Sequence, residues 1–210
     1  MRREINYDEV FDAQQQFRLL LDSMAHPGKI NLLPDMDIVP PTGLNKGGAL
    51  IAFALLNTDV SFHASGANSE EISSYIALNT ASQPISVNDA DFIFISGLHH
   101  EGILFGAKTG NLPYPEESAT FVIDVEIMSP EAIDDAVLII LKGPGIKTEE
   151  RVYIKGIDAD LLAAVKEQNT EFPLGIDLMI TDRQNRVICI PRSNQFVVDY
   201  ATTNVAELTD

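Results

Sequence analysis

Five short apolar runs constrain this chain more tightly than any other feature. Residues 92–95, 119–125, 137–141, 176–181 and 187–190 are dense in Ile, Val, Leu and Phe, with little polar alternation. β-Branched and aromatic side chains suit a pleated surface. A strand without alternation belongs to a sheet covered on both faces. Residues 29–33, 60–64 and 151–154 read as further strands. The covering layers must come from the rest of the chain.

Helical spacing supplies them. Over residues 8–25, Val10, Ala13, Phe17, Leu20, Leu21 and Met24 recur as one apolar stripe, the signature of an amphipathic helix. Asn6 and Glu9 have the spacing of a capping box, and Pro27-Gly28 ends the helix. Residues 45–56 are apolar nearly all round, as in a buried helix. Asn68 with Glu71 repeats the capping pattern before a third helix, and Asp158 can cap a fourth that carries Leu161, Leu162 and Val165. Residues 97–108 read as helical on a mixed pattern, and 182–186 as the turn of a late hairpin. Helices early and consecutive strands late predict a three-layer α/β/α sandwich with a mixed sheet. The expected organisation is one domain over residues 1–195, with a polar tail over 196–210.

Charge narrows the function. With 31 acids against 14 basic residues, the formal net charge is -17. Such a surface repels nucleic acid and anionic lipid, so neither is an expected partner. It also repels a free anionic substrate unless local cations overcome the global field, whereas a basic partner protein suits it. Cys189 is the single cysteine, so no internal disulfide forms and a reducing compartment fits. Met1-Arg2-Arg3-Glu4 turns polar at once, without the apolar core of a signal peptide. No run approaches the roughly 20 apolar residues of a membrane span. The expected location is the cytoplasm.

Local chemistry is sparse. Lys142-Gly143-Pro144-Gly145-Ile146 follows a strand; it reads either as a tight turn or as a loop whose backbone donors approach a phosphate. It lacks the ending of a P-loop. His26, His63, His99 and His100 form no metal-ligand pattern, since adjacent side chains diverge. There is no G-x-S-x-G elbow, and Cys189 lies within an apolar run, where thiols pack inertly. No metal and no cofactor are expected. Asp177 interrupts an apolar run and must be paired or exposed, because an unpaired buried charge is very costly. Arg192, just past the hairpin, is its candidate partner. The pair is either a structural ion pair at a sheet end or part of a cleft mouth or subunit contact.

Several segments together carry a resemblance. Asp12-Ala13-Gln14-Gln15-Gln16-Phe17-Arg18, Met24-Ala25-His26-Pro27-Gly28, Gly143-Pro144-Gly145-Ile146, Phe172-Pro173-Leu174-Gly175-Ile176-Asp177-Leu178 and Ile190-Pro191-Arg192 occur in that order. They resemble the PhnH family, the H subunit of the carbon–phosphorus lyase system. The resemblance implies a fold like the large domain of pyridoxal-phosphate-dependent transferases, without that cofactor. It also implies a homodimer and a core complex with G, I and J subunits. In that family the assembly, helped by an L subunit, displaces adenine from ATP with a phosphonate, and the J subunit later breaks the carbon–phosphorus bond. The H subunit is not known to carry a catalytic residue there, so the resemblance points to none in this chain. The expected role is structural, within phosphonate catabolism. The alternative is a subunit that binds a nucleotide or phosphonate through Arg18, Arg192 or the Gly143–Gly145 loop. A pyridoxal-phosphate enzyme would need a Schiff-base lysine, and Lys108 and Lys142 lack a phosphate-binding context.

Overall fold

The computed structural model describes residues 4, 6–8, 10–98 and 102–200. In chain order they form α1 (Phe11–Ala25), β1 (Asn31–Leu32), α2 (Lys46–Leu55), β2 (Ser61–Ala64), α3 (Ser69–Thr80), β3 (Gln83–Pro84) and β4 (Phe92–Ser96). Then come β5 (Thr120–Asp124), β6 (Ile127–Ser129), β7 (Val137–Lys142), β8 (Glu150–Lys155), α4 (Ala159–Gln168), β9 (Asp177–Thr181), β10 (Arg186–Ile190) and β11 (Gln195–Tyr200). The protein is a mixed α/β fold, as its sequence predicts.

Its strands make two sheets rather than one. A seven-stranded mixed sheet runs β1-β10-β9-β5-β4-β2-β3. The neighbours from β3 to β9 are parallel, while β9, β10 and β1 pair antiparallel at one side. A four-stranded antiparallel sheet runs β11-β7-β8-β6. Parallel neighbours need a long crossover. Between β5 and β9, that crossover is β6, β7, β8 and α4, so most of the second sheet is itself a connection. One outer layer is therefore helical, while the other combines a sheet with α4.

Alternate residues of the central strands show how the layers meet. Ile93, Ile95, Phe121, Ile123, Leu178, Ile180, Ile188 and Ile190 join a core with Met128, Ile139, Val152, Ile154 and Phe196 of the second sheet and with Leu161, Leu162 and Val165 of α4. Their neighbours Phe94, Val122, Met179, Val187 and Cys189 face the other way, toward α1, α2 and α3. The uninterrupted apolar runs follow from this double coverage. Cys189 is fully buried, and that burial pushes its thiol well up from the ordinary range. It is core packing.

Local readings fare unevenly. Asp158 does cap α4, accepting from the Asp160 amide. Asn68 does not cap α3 with its side chain; its amide donates to the Thr42 carbonyl instead. Ahead of α1, Asp8 accepts from the amides of Val10 and Phe11, while Asp12 accepts from the Asp8 amide; the N-cap position itself, Val10, has no side-chain cap. Asn6 turns to Asp37, and Glu9 lies outside the described residues. The expected helix over 97–108 is reduced to a single 3-10 turn, Ile103–Gly106, with 99–101 outside the described residues. The boundary drawn at residue 196 falls inside β11, which pairs with β7 along its length; residues 201–210 lie outside the described residues. No helix of the described chain is long and apolar enough to cross a membrane.

Candidate functional site

The segments that single out this sequence converge in space. The turn after β7 carries Gly143 (φ +134°) and Gly145 (φ +83°), a backbone region that favours glycine. A Cβ on Gly145 would stand 2.4 Å from the Ala25 carbonyl oxygen and 2.7 Å from Pro27 Cδ, so the turn packs directly on the exit of α1. On its other side, Asn194 donates to the Pro144 carbonyl at 3.0 Å. The Gly28 amide in turn donates to the Cys189 carbonyl of β10. Thus the α1 exit, the glycine turn and the segment after β10 lock together.

A cleft of about 690 Å³ opens beside this junction. Gly28 and Gly145 contribute bare backbone to it, and His26, Lys29, Lys147, Arg151 and Arg186 line it, with Glu150 as the acid. Lys29 is held by Asp22 (2.7 Å) and Arg151 by Glu149 (2.8 Å). Arg186 donates through Nε to the fully buried Asp182 at 2.7 Å. Asp182 also accepts from the Met128 amide, which ties the hairpin turn to β6. Lys147 makes no ion pair among the described residues.

Asp177 and Arg192 meet elsewhere. Arg192 Nε donates to both carboxylate oxygens at 3.2 Å, its second guanidinium nitrogen donates to Oδ2, and its amide donates to Oδ1 at 2.8 Å. The remaining guanidinium nitrogen donates to the Pro115 carbonyl at 2.7 Å. Both side chains are less than one-fifth exposed. A charge pair so enclosed persists only with its hydrogen bonds supplied, and this pair has them.

A second recess lies at the carboxyl ends of the parallel strands, where ligands of open α/β sheets commonly bind. Its space of about 320 Å³ is bordered by Asn45, Ser96, Asp124 and Arg183. Asp124 ends β5 and accepts from the Asn45 amide (2.6 Å) at the start of α2 and from the Thr181 hydroxyl (3.0 Å). Burial pushes its carboxyl up to about 7, against the lowering effect of those two donors.

Comparison with known proteins decides the family. Residues 6–197 match the family model described as bacterial phosphonate metabolism protein (PhnH). The chain belongs to the PhnH family. It is 32% identical over 191 residues to the alpha-D-ribose 1-methylphosphonate 5-triphosphate synthase subunit PhnH of Rhizobium meliloti (strain 1021), covering 90% of this chain and 92% of that protein. It is 28% identical over 184 residues to the "Putative C-P lyase subunit protein HtxG" of Stutzerimonas stutzeri, covering 86% and 83%.

The PhnH resemblance read from the sequence therefore holds. Of the residues nominated, Asp177 and Arg192 are joined, and Gly143 and Gly145 share one turn. Arg18 is exposed on α1, makes no ion pair among the described residues and does not line the cleft. Lys108 and Lys142 are engaged with Asp91 and Glu149. Among the described residues no group of three His, Cys, Asp or Glu side chains could hold a metal ion; His99 and His100 lie outside them. Sequence reasoning missed the basic cleft and Asp124. The available signals were basic residues beside the PhnH motifs in an acidic chain, and an acid within an apolar run.

Proposed function

We propose that this chain is the H-type subunit of a ribose 1-phosphonate 5-triphosphate synthase, within a carbon–phosphorus lyase complex that works in the cytoplasm. The similarity to a synthase subunit along nine-tenths of both chains carries this reading. The chain's role is to build and hold the assembly that transfers a phosphonate onto the ribose of ATP with release of adenine. It acts as a homodimer that joins G, I and J subunits, on a fold like the large domain of pyridoxal-phosphate-dependent transferases. Gly143, Gly145, Asp177 and Arg192 fix the chain's own loops, which supports a structural role for them. The chain supplies no catalytic residue by itself.

Co-expression tests this. A tagged full-length chain is expected to recover the G, I and J subunits in stable stoichiometry, and to show no turnover of ATP with methylphosphonate when purified alone. Conversion of those two substrates by the isolated chain would overturn the structural reading.

A further inference from the structure

We infer that the cleft between the α1 exit and the glycine turn is an anion site for an oligophosphate ester. This deepens the synthase reading and rests on it for the choice of ligand. Four of the chain's 14 lysines and arginines line this one cleft, with His26, against a single lining acid, Glu150. In a chain of net charge -17, an anion must find a place where local cations outweigh the global field. Three of the cleft's four cations are paired with Asp22, Glu149 and Asp182 behind the wall, so the positive charge left for an anion is centred on Lys147, with the paired groups adding donors.

Its construction also suits phosphate oxygens. Asp22, Glu149 and Asp182, which hold Lys29, Arg151 and Arg186, are not among the lining residues. They orient the cations while the cleft wall presents nitrogen donors. Guanidinium and ammonium groups form strong charge-assisted hydrogen bonds to phosphate, and Lys147 is uncommitted among the described residues. Gly28 and Gly145 line the cleft too, but the space a side chain would take at each is filled by Leu141 and Glu150 and by Ala25 and Pro27, so they fix the wall's shape and the cations supply its donors. The volume of about 690 Å³ lies within the range of small-molecule sites. It accommodates a triphosphate with its sugar, and the Glu150 carboxylate can accept from a sugar hydroxyl. Arg192 has no part in this site, because it does not line the cleft and its guanidinium is held by Asp177 and Pro115.

Calorimetric titration of the full-length chain alone with tripolyphosphate, then ATP, tests the inference. Saturable binding of tripolyphosphate is expected. It should weaken about tenfold or more in the Lys147→Ala/Arg151→Ala double variant, since each loses a charge-assisted contact. Both side chains are exposed, so the variant's circular dichroism and unfolding midpoint should match wild type. Absence of saturable binding overturns the inference, as does equal binding by the double variant. If Lys147→Glu/Arg151→Glu instead abolishes recovery of the partner subunits and spares tripolyphosphate binding, the cleft is a protein-docking seat and the inference fails. Binding is read without partners, so its failure stays separate from failed co-purification, which strikes the synthase reading.

Discussion

Asp124, Thr181 and Asn45 share fewer protons than acceptors. The Thr181 hydroxyl stands 3.0 Å from both Asp124 Oδ1 and Asn45 Oδ1, yet it has one hydrogen to give. If Asp124 is protonated, it donates to Thr181, which donates to Asn45. If Asp124 is charged, Thr181 must turn to it. Folding favours the protonated form, raising the carboxyl from 3.8 to about 7 by burial. The unfolded chain then loses this proton first as pH rises, so stability from this group falls between about pH 4 and 7 and levels off above. Asp8, Asp22, Asp91 and Glu149 are lowered by their hydrogen-bond partners, so their contributions have the opposite sign and are lost below that window. Asp124→Asn should flatten the decline in melting temperature between pH 4 and 7. An unchanged slope would assign the decline to other groups. Asp177 was legible in the sequence because a charge inside an apolar run demands a partner, and Arg192 stood nearby. Asp124 also lies within an apolar run, but its partners Asn45 and Thr181 are uncharged and distant in sequence, so no candidate partner stood nearby.

At the scale of elements, α1 shows where periodicity misleads. Its expected stripe included Phe17, Leu20 and Leu21, yet Leu20 is 2% exposed while Phe17 and Leu21 are 45% and 53% exposed. The inward face is Gln16, Leu20 and Ser23. Gln16 accepts from the Tyr7 hydroxyl, and Ser23 donates to the Leu19 carbonyl and accepts from Asn31. Ser23, with such partners, is buried at little cost, while Gln16 Nε2 has no hydrogen-bond partner among the described residues; the helix is turned away from its most apolar side even so. Leu20→Ala should therefore cost about 3 kcal/mol through cavity formation, whereas Leu21→Ala should cost under about 1 kcal/mol. Urea unfolding of the two variants checks this, and equal losses would restore the stripe. Central strands were legible because double burial leaves unbroken apolar runs. The second sheet was not, since β7 reads like them. Its neighbour β8 carried the missing clue: Val152 and Ile154 face the core while Arg151 points out, a period-two pattern of a sheet covered on one side.

For the whole molecule, the decisive fact is that the crossover between two paired central strands contains most of the second sheet. β5 and β9 are hydrogen-bonded neighbours from Thr120–Asp177 to Asp124–Thr181, and the chain between them is tethered to both. The second sheet also shares its core with them: Ile139 and Ile123 are both fully buried in one cluster. β11 then brings the end of the described chain back onto β7, with Phe196 in the same cluster. A chain joined this way should unfold as one unit even though it contains two sheets. Ile139→Ala in the second sheet and Ile51→Ala in the helical layer each should remove about 2–5 kcal/mol. Both should shift a single transition, with midpoints that coincide by far-ultraviolet circular dichroism and by tyrosine fluorescence. The absence of tryptophan leaves Tyr7 and Tyr75 to report on the helical layer and Tyr153 on the second sheet. A biphasic transition in Ile139→Ala alone would mean that the second sheet opens as a separate unit. The glycine turn of β7 would then move independently of the α1 exit, and the basic cleft between them would lose its fixed width before the rest of the protein unfolds.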